Sequence, residues 1–113
     1  MTSSLHFVNF ISPGTDEVFV ERCAAILEIP MDELRSRGRG PRLTEGRELI
    51  VSLGLHRWRQ SASRLAAVLG LHPESVSRQS SRGRMKAAED PDFAMRLEEL
   101  DAALIERVER KGK

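Results

Sequence analysis

Ala62-Ser63-Arg64-Leu65-Ala66-Ala67-Val68-Leu69-Gly70-Leu71-His72-Pro73-Glu74-Ser75-Val76-Ser77-Arg78-Gln79-Ser80-Ser81 is the stretch whose reading decides the fold. Leu65, Val68 and Leu69 recur at spacings of three and four, which places them on one helical face. Ala66 is small enough to let a second helix cross closely. Gly70 follows the last periodic residue and can adopt positive φ, so it ends the helix. Leu71 can plug the corner. Pro73 suits the first position of a new helix, where its missing N–H is no loss. Glu74 lies in that first turn, where the helix dipole favours negative charge. Val76 returns to the core, and Ser77, Arg78, Ser81 and Arg82 are left on or near the open face. The pattern predicts a helix-turn-helix over about residues 62–82, and the major groove of DNA is wide enough to admit its second helix.

Downstream, the second helix is expected to continue through Gly83 to Ala88. Glycine inside a helix costs about 1 kcal/mol relative to alanine, so Gly83 reads as a weak point. Asp90-Pro91-Asp92 breaks the chain and caps a last helix over 92–110. Phe93, Leu97, Leu100, Leu104 and Val108 line one side of it, and Glu98, Glu99, Asp101 and Glu106 occupy its other faces.

Upstream, Val18, Phe19, Arg22, Cys23, Ile26 and Leu27 predict a helix over about 16–28, stopped by Pro30, with a short helical turn from Met31 to Leu34. Arg35-Ser36-Arg37-Gly38-Arg39-Gly40-Pro41-Arg42 reads as a loop from its Gly, Pro and Ser, and as a phosphate or minor-groove arm from its four arginines. Thr44 is a natural N-cap for a further helix carrying Leu49, Ile50, Leu53 and Leu55, with Gly54 at its end. Trp58 is expected on the edge of the core. Residues 1–15 read as a partly ordered lead-in. Residues 16–110 form a single domain, all-α, with about five helices and no sheet.

The 113 residues carry a net charge of +1, which conceals an asymmetry. Residues 35–86 hold twelve basic and three acidic side chains, and the remainder holds six basic and fourteen acidic. The positive block coincides with the helix-turn-helix and the segment leading to it. Fifteen of the eighteen basic residues are arginine, which can grip phosphate or guanine bidentately. This pairing of charge and motif points to nucleic acid. No apolar run approaches the ~20 residues that span a bilayer, and the N-terminus lacks a signal-peptide pattern. The single Cys23 reads as a small buried hydrophobe and fits a reducing cytoplasm. His6, His56 and His72 have no metal-ligand spacing. No cofactor, metal or small-molecule substrate is expected.

From Glu17 to Lys86 the order of elements resembles the C-terminal DNA-binding domain of the bacterial replication initiator DnaA, a Trp-repressor-like fold. The residues that carry the likeness are Cys23-Ala24-Ala25-Ile26-Leu27-Glu28-Ile29, Leu34 with the arginines after it, Arg47-Glu48-Leu49-Ile50, and Leu65 to Val76. A closer resemblance, over about residues 17–104, is to the C-terminal domain of REP-associated tyrosine transposases, through Leu69-Gly70, Val76-Ser77-Arg78, Asp90-Pro91 and the final Leu-rich helix. DnaA has an Asp-His-Thr-Thr run where this chain has Leu71-His72-Pro73-Glu74-Ser75, so recognition of the initiator's own boxes is not carried over.

The resemblance implies that Arg35, Arg37 and Arg39 enter the minor groove and that Ser75, Ser77 and Arg78 sit at recognition positions. Arg42, Arg47, His72, Gln79, Ser81 and Arg82 complete the set expected at double-stranded DNA, His72 by capping its helix or touching phosphate. The transposase's nucleophilic tyrosine and paired histidines have no counterpart in the sequence, so no enzymatic activity is expected. The expectation is a cytoplasmic, nucleoid-associated, sequence-preferring DNA-binding module, with a transposase catalytic domain or a second copy as further partners. The alternatives are a small stand-alone regulator and a helical adaptor that binds protein through its acidic last helix.

Overall fold

The computed structural model describes the backbone of residues 16–111 and the side chains of residues 16–106. The N-terminal lead-in and the side chain of Val108 lie outside the described residues. The described residues form six helices and no strand: α1 (Asp16–Leu27), α2 (Met31–Arg35), α3 (Pro41–His56), α4 (Ala62–Leu69), α5 (Pro73–Glu89) and α6 (Pro91–Lys111). None is long and apolar enough to cross a membrane.

α3 is the axis of the fold and touches each of the other five helices. Every residue from Gly46 to Gly54 is buried. Around it close Phe19, Val20, Cys23 and Ala24 from α1, Leu34 from α2, Leu65, Ala66 and Leu69 from α4, Val76 from α5, and Phe93, Leu100 and Leu104 from α6. Most of these are the periodic positions of the sequence, because a helical stripe loses most water by facing the common core. α1 differs, burying Val20 and Ala24 beside Phe19 and Cys23 and leaving Val18 exposed.

α3 differs from its expected limits. It begins at Pro41 rather than Thr44, since proline's fixed φ suits the first helical position. Thr44 is therefore inside the helix, and its hydroxyl donates back to the Arg39 carbonyl at 3.4 Å. Gly54 does not end α3, which runs to His56. A Cβ at Gly54 would lie 2.9 Å from Leu65 Cδ1 and 3.1 Å from a Phe19 ring carbon, so this glycine permits close packing of α1 and α4.

Gly70 sits at φ 68° and closes α4, with the Leu71 amide donating to the Ala66 carbonyl at 2.8 Å and the Gly70 amide to Ala67 at 3.3 Å. His72 caps α5, its Nδ1 accepting from the Glu74 amide at 3.3 Å. Asp90 caps α6 by accepting from the Asp92 and Phe93 amides. Trp58 is on the core edge as expected. Its indole lies 6.2 Å from the Phe19 ring, and Nε1 donates to Asp101 at 2.7 Å, which ties α6 to the segment after α3.

Gly83 is not the weak point expected from helix propensity. It is buried where α5 crosses α3, and a Cβ there would sit 1.8 Å from Ser52 Oγ and 3.4 Å from the Glu48 carbonyl. Beside it, Lys86 Nζ reaches the buried Glu48 carboxylate at 2.6 Å, and His56 Nε2 shares a hydrogen bond with Ser80 Oγ at 2.9 Å and lies 3.4 Å from Arg84 Nη2. Proximity, not flexibility, requires the glycine.

Gly83→Ala should therefore lower stability by about 1–3 kcal/mol through overpacking, although the same change in an exposed helix would gain about 1 kcal/mol. Adding Ser52→Ala should recover part of the loss, because it removes the obstructing hydroxyl. Urea unfolding measures both, and a raised midpoint for Gly83→Ala would contradict the crossing. Burial also pushes the Cys23 thiol far above its ordinary pKa, so the reactive thiolate is scarce. A thiol-labelling reagent should modify the folded protein at neutral pH far more slowly than the unfolded chain.

Candidate nucleic-acid interface

α5 shows two faces. Val76, Ser80 and Gly83, spaced by four and three, are buried. Glu74, Ser77, Arg78, Ser81, Arg82, Arg84 and Met85 are exposed, Met85 at 59%. Apart from Met85 these exposed residues are polar, with three arginines against one glutamate. Arg78 donates through Nη2 to Ser75 Oγ at 3.4 Å, which draws the guanidinium toward the half-buried Ser75. Ser77, Ser81 and Arg82 have no side-chain hydrogen bond or ion pair among the described residues, and neither does Glu74. Gln79 is half-buried, its Oε1 enclosed without a hydrogen-bond partner, so it belongs to the boundary of the face.

The Arg-rich segment is shorter as a loop than the composition implied. Arg35 is the last residue of α2, and Arg42 lies in the first turn of α3. Arg35 Nε donates to the Val68 carbonyl near the end of α4 at 2.9 Å, and its Nη2 pairs with Glu17 at 3.4 Å. A Cβ on Gly70 would lie 3.4 Å from the Arg35 carbonyl. The root of the loop thus packs against the turn between α4 and α5. Arg42 donates to the carbonyls of Leu27 and Glu28, satisfying the C-terminal end of α1 where Glu28 adopts φ 60°. Arg37 and Arg39 are exposed and make no side-chain hydrogen bond or ion pair among the described residues.

Arg47 is a correction to the expected surface. Its relative exposure is 6%, and its guanidinium is spent on backbone carbonyls: Nε on Leu34 at 3.1 Å, Nη1 on Gly38 at 2.8 Å, and Nη2 on Glu33 at 3.1 Å and Ser36 at 2.8 Å. Burial lowers its pKa from the ordinary arginine value. Four of the five N–H groups of the fork are engaged, and its burial keeps the fork beneath the surface that an external phosphate would meet. The sequence pattern around Arg47 is that of any polar residue on an amphipathic helix, which is why it read as exposed.

Three further arginines bear on the surface. Arg59 is exposed at φ 56° and makes no side-chain hydrogen bond or ion pair among the described residues. Arg84 makes a side-chain polar contact with His56 and pairs with no carboxylate among the described residues, whereas Arg64 pairs with the buried Asp16 at 3.5 Å. Arg59 and Arg84 were already within the positive block; only their exposure singles them out. Among the described residues no cluster of His, Cys, Asp and Glu is arranged to hold a metal ion. No family model, curated protein or solved structure matches the chain.

Proposed function

We propose that the chain is a sequence-preferring double-stranded DNA-binding module, of the helix-turn-helix kind found in DnaA-like and transposase-associated domains. The observation that carries this reading is the packing of the Arg-rich loop root on the α4–α5 turn, through Arg35 and the Val68 carbonyl. One continuous scaffold then supports Arg37 and Arg39 in the loop and Arg78 and Arg82 on α5. In this reading α5 enters the major groove, with Arg78, Ser77 and Ser81 facing bases, while Arg37, Arg39 and Arg82 meet phosphate. Arg35 and Arg42 are largely committed to the fold and contribute charge rather than direct contacts. His72 is committed to its capping bond. The module binds without cutting.

The test is binding to duplex DNA across a salt series. If about four to six phosphates are neutralised, log K should fall with log salt at a slope of about −4 to −5. A slope near zero would remove the basic surface as a DNA face. Arg37→Ala should weaken all duplexes by similar factors and reduce the slope by about one. Arg78→Ala should cost about 1–3 kcal/mol on a site selected from random sequence and relax the preference there, if Arg78 grips guanine. Equal losses on selected and random DNA would place Arg78 on phosphate.

A further inference from the structure

Arg47 lies beneath the surface, yet all four of its side-chain hydrogen bonds end on carbonyls between Glu33 and Gly38, the segment that leads into and carries Arg37 and Arg39. We propose that Arg47 is a positioning residue for DNA binding: from inside the fold, it holds residues 36–40 as a preformed arm. This inference rests on the DNA-binding reading above.

Glycine, serine and several arginines in succession have no apolar side chain with which to order themselves, and fixing each such residue costs about 1–2 kcal/mol of backbone entropy. Here the order comes from beneath. The Arg47 fork delivers three separate nitrogens to four carbonyls, a geometry that a single lysine ammonium cannot reproduce. Two other contacts extend it: Ser36 Oγ accepts from the Gly38 amide at 3.1 Å, and Thr44 Oγ1 donates to the Arg39 carbonyl at 3.4 Å. The carbonyls of Glu33, Leu34, Ser36, Gly38 and Arg39 are therefore engaged from the protein side. The backbone N–H groups of Arg37, Arg39 and Gly40 donate to no partner among the described residues. Oxygen acceptors are drawn inward while donors and two free guanidinium groups remain, which is the polarity that suits a polyanion. A segment ordered before binding does not pay that entropy at the moment of association.

The experiment is a double-mutant cycle read by DNA affinity. The parent protein, Arg47→Lys, the pair Arg37→Ala with Arg39→Ala, and the combination of all three are titrated against one duplex at low salt. In the parent background Arg47→Lys should weaken binding by about tenfold. In the background lacking Arg37 and Arg39 it should cost less than about twofold, because the arm then presents nothing to position. Amide hydrogen exchange on the same Arg47→Lys protein should show faster exchange at Gly38, with Ile50 and Val51 in the core still protected. An unchanged affinity in the parent background overturns the proposal. So do equal losses in both backgrounds, or loss of core protection, since Arg47 would then act through the fold as a whole. Failure of the DNA reading looks different: the parent protein itself would bind no duplex.

Discussion

A helix enclosed on every side must find partners for its polar groups without water, and α3 is such a helix. Its buried run from Gly46 to Gly54 includes Arg47, Glu48 and Ser52. Arg47 and Glu48 find partners on different neighbours, while the Ser52 hydroxyl is enclosed without a hydrogen-bond partner. Arg47 takes the carbonyls that end α2 and begin the loop. Glu48 takes Lys86 of α5, whose ammonium also lies 5.6 Å from the centre of the Phe93 ring at the start of α6. Ser52 lies against Gly83, where no side chain stands. Removing one member of a buried charged pair is far more damaging than the pair is stabilising, so these contacts specify the arrangement more than they strengthen it. The orientation of α2, α5 and α6 about α3 follows from them.

The apolar framework was legible because Leu65, Leu69, Val76, Phe93, Leu100 and Leu104 repeat at helical spacing and are all buried. The turn was legible because Gly70 and Pro73 have narrow conformational uses. What misled were residues with two uses. Gly54 and Gly83 resemble helix ends or weak points from the sequence, yet both serve close helix approaches, which depend on what lies opposite. Thr44 resembles a cap, but the proline three residues earlier starts the helix first. Arg47 resembles surface because arginine usually is surface; its burial depends on carbonyls nine to fourteen residues away, which no local period reveals. Of the candidate contact set, the exposed positions Arg37, Arg39, Ser77, Arg78, Ser81 and Arg82 were legible from pattern alone.

The charge partition survives folding. Arg35, Arg57 and Arg64 reach across to acids outside the positive block: Glu17, Asp101 and Asp16. Such pairs on a partly exposed surface contribute little stability each, but they mark where the two charge territories meet. Arg37, Arg39, Arg59, Arg78, Arg82 and Arg84 have no carboxylate partner among the described residues and keep their charge for solvent or for an anion. A field of this kind speeds encounter with a polyanion and weakens steeply as salt rises.

Trp58 has an optical consequence. It is the chain's one tryptophan, with no tyrosine to compete. Its indole rests beside Phe19 of α1 and donates to Asp101 of α6, so it stands at the joint where the first and last described helices meet. Its emission therefore reports the seating of α6 on the bundle without any label. The colour and intensity of that single fluorophore would distinguish a last helix that peels away from a global unfolding that also exposes the core.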